Sequence, residues 1–169
     1  MNINTMWMVR AGNDGFLFDV FQNKNIVAIG HNYLGDLTNI NNDKEEIRKI
    51  FRDRKKCRKQ KPNEPELNEK QIGIRINKII SFIFKISIGN FVITYNPKNR
   101  EYLVGNINSV HKTNHELCIY QNIRGVKWAE GMVKRDDLSS FTKKHLARPL
   151  AVFRVDKQVA DEIIKLMKV

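Results

Sequence analysis

His111 and His115 stand four residues apart, the spacing that sets two imidazoles on one face of a helix and lets them share a metal ion. Their segment, "SVHKTNHEL", is polar and has no apolar stripe, so a solvated loop competes with a metal site and is the preferred reading. Asp53-Arg54-Lys55 is the one acidic-x-Lys match, the pair that metal-dependent nucleases carry on adjacent strands. Here it lies inside a basic helix, which is the wrong setting. No Gly-rich phosphate loop and no nucleophile-elbow Ser or Cys occurs. The residues therefore point away from an enzyme, and no cofactor or metal is expected.

Two other arrangements suit binding. "RDRKKCRKQK" (Arg52 to Lys61) carries seven positive charges and one negative. Arg52, Arg54, Lys55, Lys56, Arg58, Lys59 and Lys61 are more than one helix face can hold, and they repel one another unless an anion neutralises them. A solvated helix face is the bland alternative, phosphate contact the favoured one. The second arrangement is "KNIVAIGHNYLGDL", where an apolar strand ends at Gly30 and opens onto His31, Asn32 and Tyr33. Just upstream, "MWMVR" ends at Arg10 and "AGNDG" in the same manner, and Tyr95 ends a third strand. Aromatic rings beside amide or imidazole groups at strand ends are able to sandwich a base and read its edge. Taken singly and on spacing alone, Tyr33 as loop packing, Asn32 as a turn former and His31 as a satisfied surface imidazole are the preferred readings.

The composition agrees with a nucleic-acid partner. Thirty Lys and Arg against eighteen Asp and Glu give a net charge of +12 over 169 residues, an excess that favours a polyanion through release of condensed counterions. An anionic membrane surface is the rival partner, but no helix shows the aromatic apolar face that would anchor it. No run approaches the ~18 apolar residues that span a bilayer, and "MNINTMW" lacks the features of a signal peptide. Cys57 and Cys118 lie far apart, without metal-ligand spacing, so neither a disulfide framework nor a zinc site is expected. A reduced, cytoplasmic protein is the expectation.

The elements that must position these groups read as follows. Met6 to Arg10 is a buried first strand, Asn13-Asp14-Gly15 a turn, Phe16 to Asn23 a short helix, and Ile26 to Gly30 a second strand. Asn42 with Glu45 resembles a capping box opening a helix from about Asp43 to Lys59. Asn68 with Gln71 marks a second start, followed by a wide stripe at Ile72, Ile76, Ile79, Ile80, Ile83 and Phe84. From Gly89 the pattern is β: a hairpin around Asn96-Pro97-Lys98-Asn99, further strands in "ELCIYQNI" and "VKWAEGMVKRDDL", and a last strand, Leu150 to Val155. Asp156 begins a final helix to about Lys168. Trp7 and Trp128 sit inside strands and read as core. The whole is one mixed α/β or α+β domain, 1–169, on a curved sheet.

The string "MWMVRAGNDGFLFDVFQNKNIVAIGHNYLGDLT" resembles the N-terminal specificity domain of modification-dependent restriction proteins of the Mrr and McrB types. "IGNFVITYNPKNREYLVGNI", the "VKW" strand and "VKRDDLS" continue the resemblance, in order, over essentially the whole chain. That domain belongs to the EVE and YTH group of PUA-like folds. The resemblance implies a strongly curved mixed sheet, or pseudo-barrel, flanked by helices. It also implies a role in phage defence: holding a modified base, flipped from duplex DNA, in an aromatic pocket. A nuclease or a GTP-driven motor, on the same or a partner chain, would then act; that this chain is a fragment of a longer restriction protein is left open.

Carried over by residue, the resemblance puts His31 where the family usually has a cage Trp, with Asn32 next to it touching the base. Arg10, Ala11 and Asn13 match the loop that approaches the base, and Tyr95 forms another wall. "HLARPLAVFRVDKQVADEI" is similar to the segment in which a strand ends at an Asp facing the base edge, here Asp156. The pocket is thus expected from His31, Asn32, Tyr33, Tyr95, Asn13 and Asp156. Phosphates are expected at Arg10, Arg52, Arg54, Lys55, Lys56, Arg58, Lys59, Lys134, Arg135 and Arg154. With His31 in place of Trp the wall loses stacking area, and the two readings are that Tyr33 compensates or that the modification recognised differs. An RNA-binding module of the PUA or YTH kind and a protein-interaction domain are the two rival readings.

Overall fold

The computed structural model of the protein describes residues 5–57 and 67–167, apart from the side chains of Tyr33 and of 54–57. Strand β1 (Met6–Val9) is buried at every position because both of its faces are covered. Met6 and Met8 belong to one core, Trp7 and Val9 to another, as the two-residue period of a strand dictates.

Strands β2 (Ile26–Ile29), β3 (Phe91–Asn96), β4 (Glu101–Ile107), β6 (Asn122–Trp128) and β8 (Val152–Arg154) join β1 in the order β2-β6-β4-β3-β1-β8. Two-residue strands β5 (Lys112–Thr113) and β7 (Val133–Lys134) pair with β6 and β4. Only β1 and β3 run parallel, with Trp7 opposite Val92; the other described pairs are antiparallel. The sheet is strongly curved and the fold is mixed α+β.

Helices α1 (Phe18–Lys24), α2 (Lys44–Cys57) and α3 (Glu69–Ile80) cover the core built on Trp7, Phe21, Phe51 and Ile76. Helices α4 (Ser140–Leu146) and α5 (Lys157–Met167) cover the core of Met8, Ile93, Leu146 and Ile163. The Asn68–Gln71 capping box forms as the sequence indicates, and Ile72, Ile76, Ile79 and Ile80 are its buried stripe.

Helix α3 runs on into a wider turn, Ser81–Lys85, closed by Ile86 N–H on the Ser81 carbonyl. The turn leaves carbonyls without helical donors, and the buried Arg124 of β6 supplies them. Its Nε donates to Phe82 O at 2.7 Å, Nη2 to Ile83 O at 2.7 Å and Nη1 to Ser109 O at 3.2 Å. Burial draws this guanidinium down to about 10, so it stays charged at neutral pH.

Several elements differ from the sequence reading. Helix α2 is capped by Asp43, whose carboxylate accepts from Glu45 N and Glu46 N, rather than by Asn42. Residues 116–120 form a loop, not a strand, and a single strand follows from Asn122 through the half-buried Gly125. Helix α4 has no counterpart in the sequence reading: seven residues with one buried turn give too short a period to register. No described helix is long and apolar enough to cross a membrane.

Candidate functional site

The strand ends do meet. The loop after β1, the turn after β2, the β3–β4 hairpin and the segment before β8 border one cleft of about 1190 Å³, with α3 completing it. Arg10, Asn13, His31, Asn32 and Tyr95, all expected at the site, are among its lining residues. Their roles within it differ from the expectation.

Arg10 acts as a clamp. Its Nε donates to Leu150 O at 3.1 Å, and its Nη2 to Leu146 O at 3.0 Å and Arg148 O at 2.7 Å. The guanidinium assigned to phosphate therefore fixes the 146–150 segment as one rim of the cleft. Asn13, exposed on the short turn Asn13–Gly15, borders the opening. That turn is held against the hairpin at Gly15, whose φ of 71° favours glycine and whose Cβ would lie 2.5 Å from Pro97 Cδ.

His31 adopts a left-handed backbone (φ 76°), uncommon for a residue with a side chain, and its ring meets Phe51 of α2 edge-on at 5.9 Å. The chain turns sharply there, and Asn32 follows with both ends of its amide engaged: Nδ2 donates to Ile119 O, and Oδ1 accepts from Gln121 N at 3.1 Å. Asn32 therefore positions a loop instead of offering its amide to a base. The residue between those two contacts is Tyr120. Its ring lies over Gly30, where a Cβ would stand 3.3 Å from it, and meets Phe16 edge-on at 5.8 Å. Tyr95, half-buried and packed at a 36° tilt against Tyr102 with centroids 4.7 Å apart, supplies a second aromatic surface to the cleft.

The helix contributes what the sequence reading overlooked. Arg75 and Lys78 of α3 line the cleft, and among the described residues neither has an acidic partner. Burial, and then the charge of Arg75, lower the Lys78 amine to about 8. Asp14 is the carboxylate in the lining, exposed on the opposite loop.

The remaining expected residues lie elsewhere. Asp156 is not in the cleft lining; its carboxylate accepts from His145 Nδ1 at 3.1 Å and sits 3.7 Å from Arg148. Because Asp156 N–H donates to His145 Nε2 at 3.3 Å, the buried imidazole is neutral with its proton on Nδ1. Burial, and then Arg148, push its pKa below the usual value, against the opposing pull of Asp156. Arg52 pairs with Glu69, which also holds Arg48 at 2.9 Å, so Arg52 joins α2 to the start of α3. Lys134 is exposed on β7 opposite Glu101, Arg135 is half-buried at the following turn, and Arg154 is exposed on β8 opposite Trp7. The side chains of Tyr33, Arg54, Lys55 and Lys56, and all of Arg58 and Lys59, lie outside the described residues.

His111, considered above for a metal, is buried with Nε2 3.0 Å from Asn122 Oδ1 and edge-on to Phe82. Among the described residues no group of three or more His, Cys, Asp or Glu is arranged to hold a metal ion. No family model, curated protein or solved structure matches the chain.

Proposed function

We propose that the protein is a DNA-recognition domain that holds a modified base, flipped from the duplex, in the cleft between Tyr95 and Tyr120. The observation that carries this reading is the convergence of Asn13, His31, Tyr95 and Tyr120 from four separate segments on one opening. Extruding a base costs a few kcal/mol, and stacking on aromatic walls returns ~1–3 kcal/mol per base. Edge reading falls to Asn13 and to backbone groups of the 10–15 and 30–31 segments, since the Asn32 amide is engaged elsewhere. The likeness of "MWMVRAGNDG" and "IVAIGHNYLGDL" to EVE and YTH specificity domains supports the same reading and a PUA-like assignment of the curved sheet. On this view the chain is not itself an enzyme, and the nuclease or motor of a restriction system lies on another domain or chain.

The test is an anisotropy titration of one duplex carrying no modification, methyladenine, methylcytosine or hydroxymethylcytosine, at two salt concentrations. Tighter binding of one modified duplex that survives added salt is the expected result. Equal, salt-labile binding of all four overturns base reading. A preference for single-stranded RNA of about tenfold or more would replace the DNA reading with an RNA one.

A further inference from the structure

The cleft holds more positive charge than a neutral base needs. Arg75 and Lys78 lie one helical turn apart on α3, on the flank of its buried stripe of Ile72, Ile76 and Ile79 and short of the exposed side that carries Gln71, Ile74 and Asn77. Both are half-buried, which lessens the screening by water of two neighbouring cations. Of the other charged groups in the lining, Arg10 is bound to three carbonyls and Asp14 is exposed on the far loop. The two α3 cations thus share one opening with two aromatic walls and without a carboxylate of their own. Such a pair is stable in a fold when an anion comes to it, and charge-assisted hydrogen bonds to phosphate oxygens are the strong kind.

We infer that Arg75 and Lys78 form a phosphate subsite within the cleft, taking the phosphate of the nucleotide whose base lies against Tyr95 and Tyr120. The cleft is then a nucleotide site, not a base site, and α3 sets which phosphate of the strand enters with the flipped base. The inference rests on the reading of the cleft as a base pocket only for where the base lies; the phosphate contribution is measurable by itself.

The experiment is an NMR titration of the intact protein with deoxyadenosine, with its 5′-monophosphate and with inorganic phosphate. It is repeated on the double variant Arg75→Gln/Lys78→Gln and on Lys78→Arg. Removing two adjacent like charges relieves repulsion, so the double variant is expected to fold, which its amide spectrum checks. The monophosphate should bind about tenfold or more tightly than the nucleoside. That advantage should vanish in the double variant and persist in Lys78→Arg. Equal binding of nucleoside and monophosphate overturns the inference, as does an advantage that survives in the double variant. Inorganic phosphate binding as tightly as the monophosphate would overturn the nucleotide assignment in favour of a free-anion site. A parallel titration with the N6-methylated monophosphate separates the two readings. The same comparison is made with the 5-methyl- and 5-hydroxymethylcytosine monophosphates, and no preference for any of the three modified bases, with the phosphate advantage intact, would count against base reading alone.

Discussion

Asn32 sets the position of Tyr120. Its amide closes on the backbone from both sides of that residue, donating to Ile119 O and accepting from Gln121 N, so the ring is held over Gly30 at the mouth of the cleft. A side chain expected to touch the ligand is thereby the support of one that lines the site.

Asn32→Ala should therefore weaken ligand binding without removing a ligand contact. Two hydrogen bonds at about 1 kcal/mol each set the stability cost. Binding should fall by a similar factor in Asn32→Ala and Tyr120→Ala, and the double variant should be little worse than either single one. A double-mutant cycle on duplex affinity measures this coupling. Additive losses would mean that Asn32 and Tyr120 act independently, and Asn32 would return to the list of direct contacts.

The buried Arg124 is the strongest structural prediction. Arg124→Lys keeps a positive charge but cannot reach Phe82 O, Ile83 O and Ser109 O together, since an ammonium lacks the planar fork. The cost should be about 3 kcal/mol, read as a shift of the urea midpoint. Because the clamped turn follows directly on α3, the loss should be accompanied by faster amide exchange in the last turn of that helix. An unchanged midpoint would show that the wide turn closes without Arg124.

The ends of β1 and β2 were legible in the sequence because a wholly apolar run that stops at polar residues has few other readings. The hairpin pattern placed Tyr95 at a strand end, while its place beside the other two ends was only what the family resemblance implied. Arg75 and Lys78 were not legible: between isoleucines at helical spacing, charged residues read as the solvated face, whereas these two flank the buried stripe and border the cleft, a placement set by contacts distant in sequence. Tyr120 was hidden because "ELCIYQNI" alternates like a strand, whereas the Asn32 contacts that hold it as a loop are long-range. Asp156 was placed correctly at a strand end. Its partner His145, however, belongs to α4, a helix too short to be seen, and the pair takes the carboxylate out of the cleft lining.

Stability should fall in two steps on acidification. His111 and His145 are both held below the ordinary imidazole value, in each case first by burial. Their neutral forms belong to the fold, so the unfolded chain takes up protons first as pH drops through about 6.5. Their contribution is complete above that value and is lost progressively below it, down to the lower pKa of the folded state. Glu162 provides the second step. Desolvation raises its pKa, but the hydrogen bonds from Thr142 and Ser139 outweigh that and lower it overall. Asp36 is lowered to about 2 by the Thr38 hydroxyl and amide and by Thr113. These carboxylates contribute above the unfolded range of about 4 and cease to do so as pH falls through their folded values. Urea midpoints measured from neutral to acid pH should show both declines, and His145→Gln should flatten the first. A midpoint that is flat between neutrality and about pH 5 would contradict the assignment of neutral buried imidazoles.

Lys78 gives a pH dependence of the opposite sense, and it falls on binding. Its amine, lowered to about 8 by burial and by Arg75, is mostly protonated at neutral pH and loses its charge just above it. A phosphodiester probe carries a constant charge over that range, so a change in affinity reports the protein. If the charged amine holds the phosphate, affinity should weaken by roughly tenfold between about pH 7 and about pH 9, following the protonated fraction. Bound phosphate favours the ammonium, so proton uptake should accompany binding at the upper end, visible as a buffer-dependent heat of binding. Lys78→Arg should abolish the pH dependence while retaining affinity, because a guanidinium keeps its charge throughout. The other charged groups in the cleft lining are Arg10, held on three carbonyls, Arg75 and Asp14. A flat profile in the unmodified protein would therefore separate Lys78 from the phosphate and leave Arg75 as the only cation of α3 acting on it.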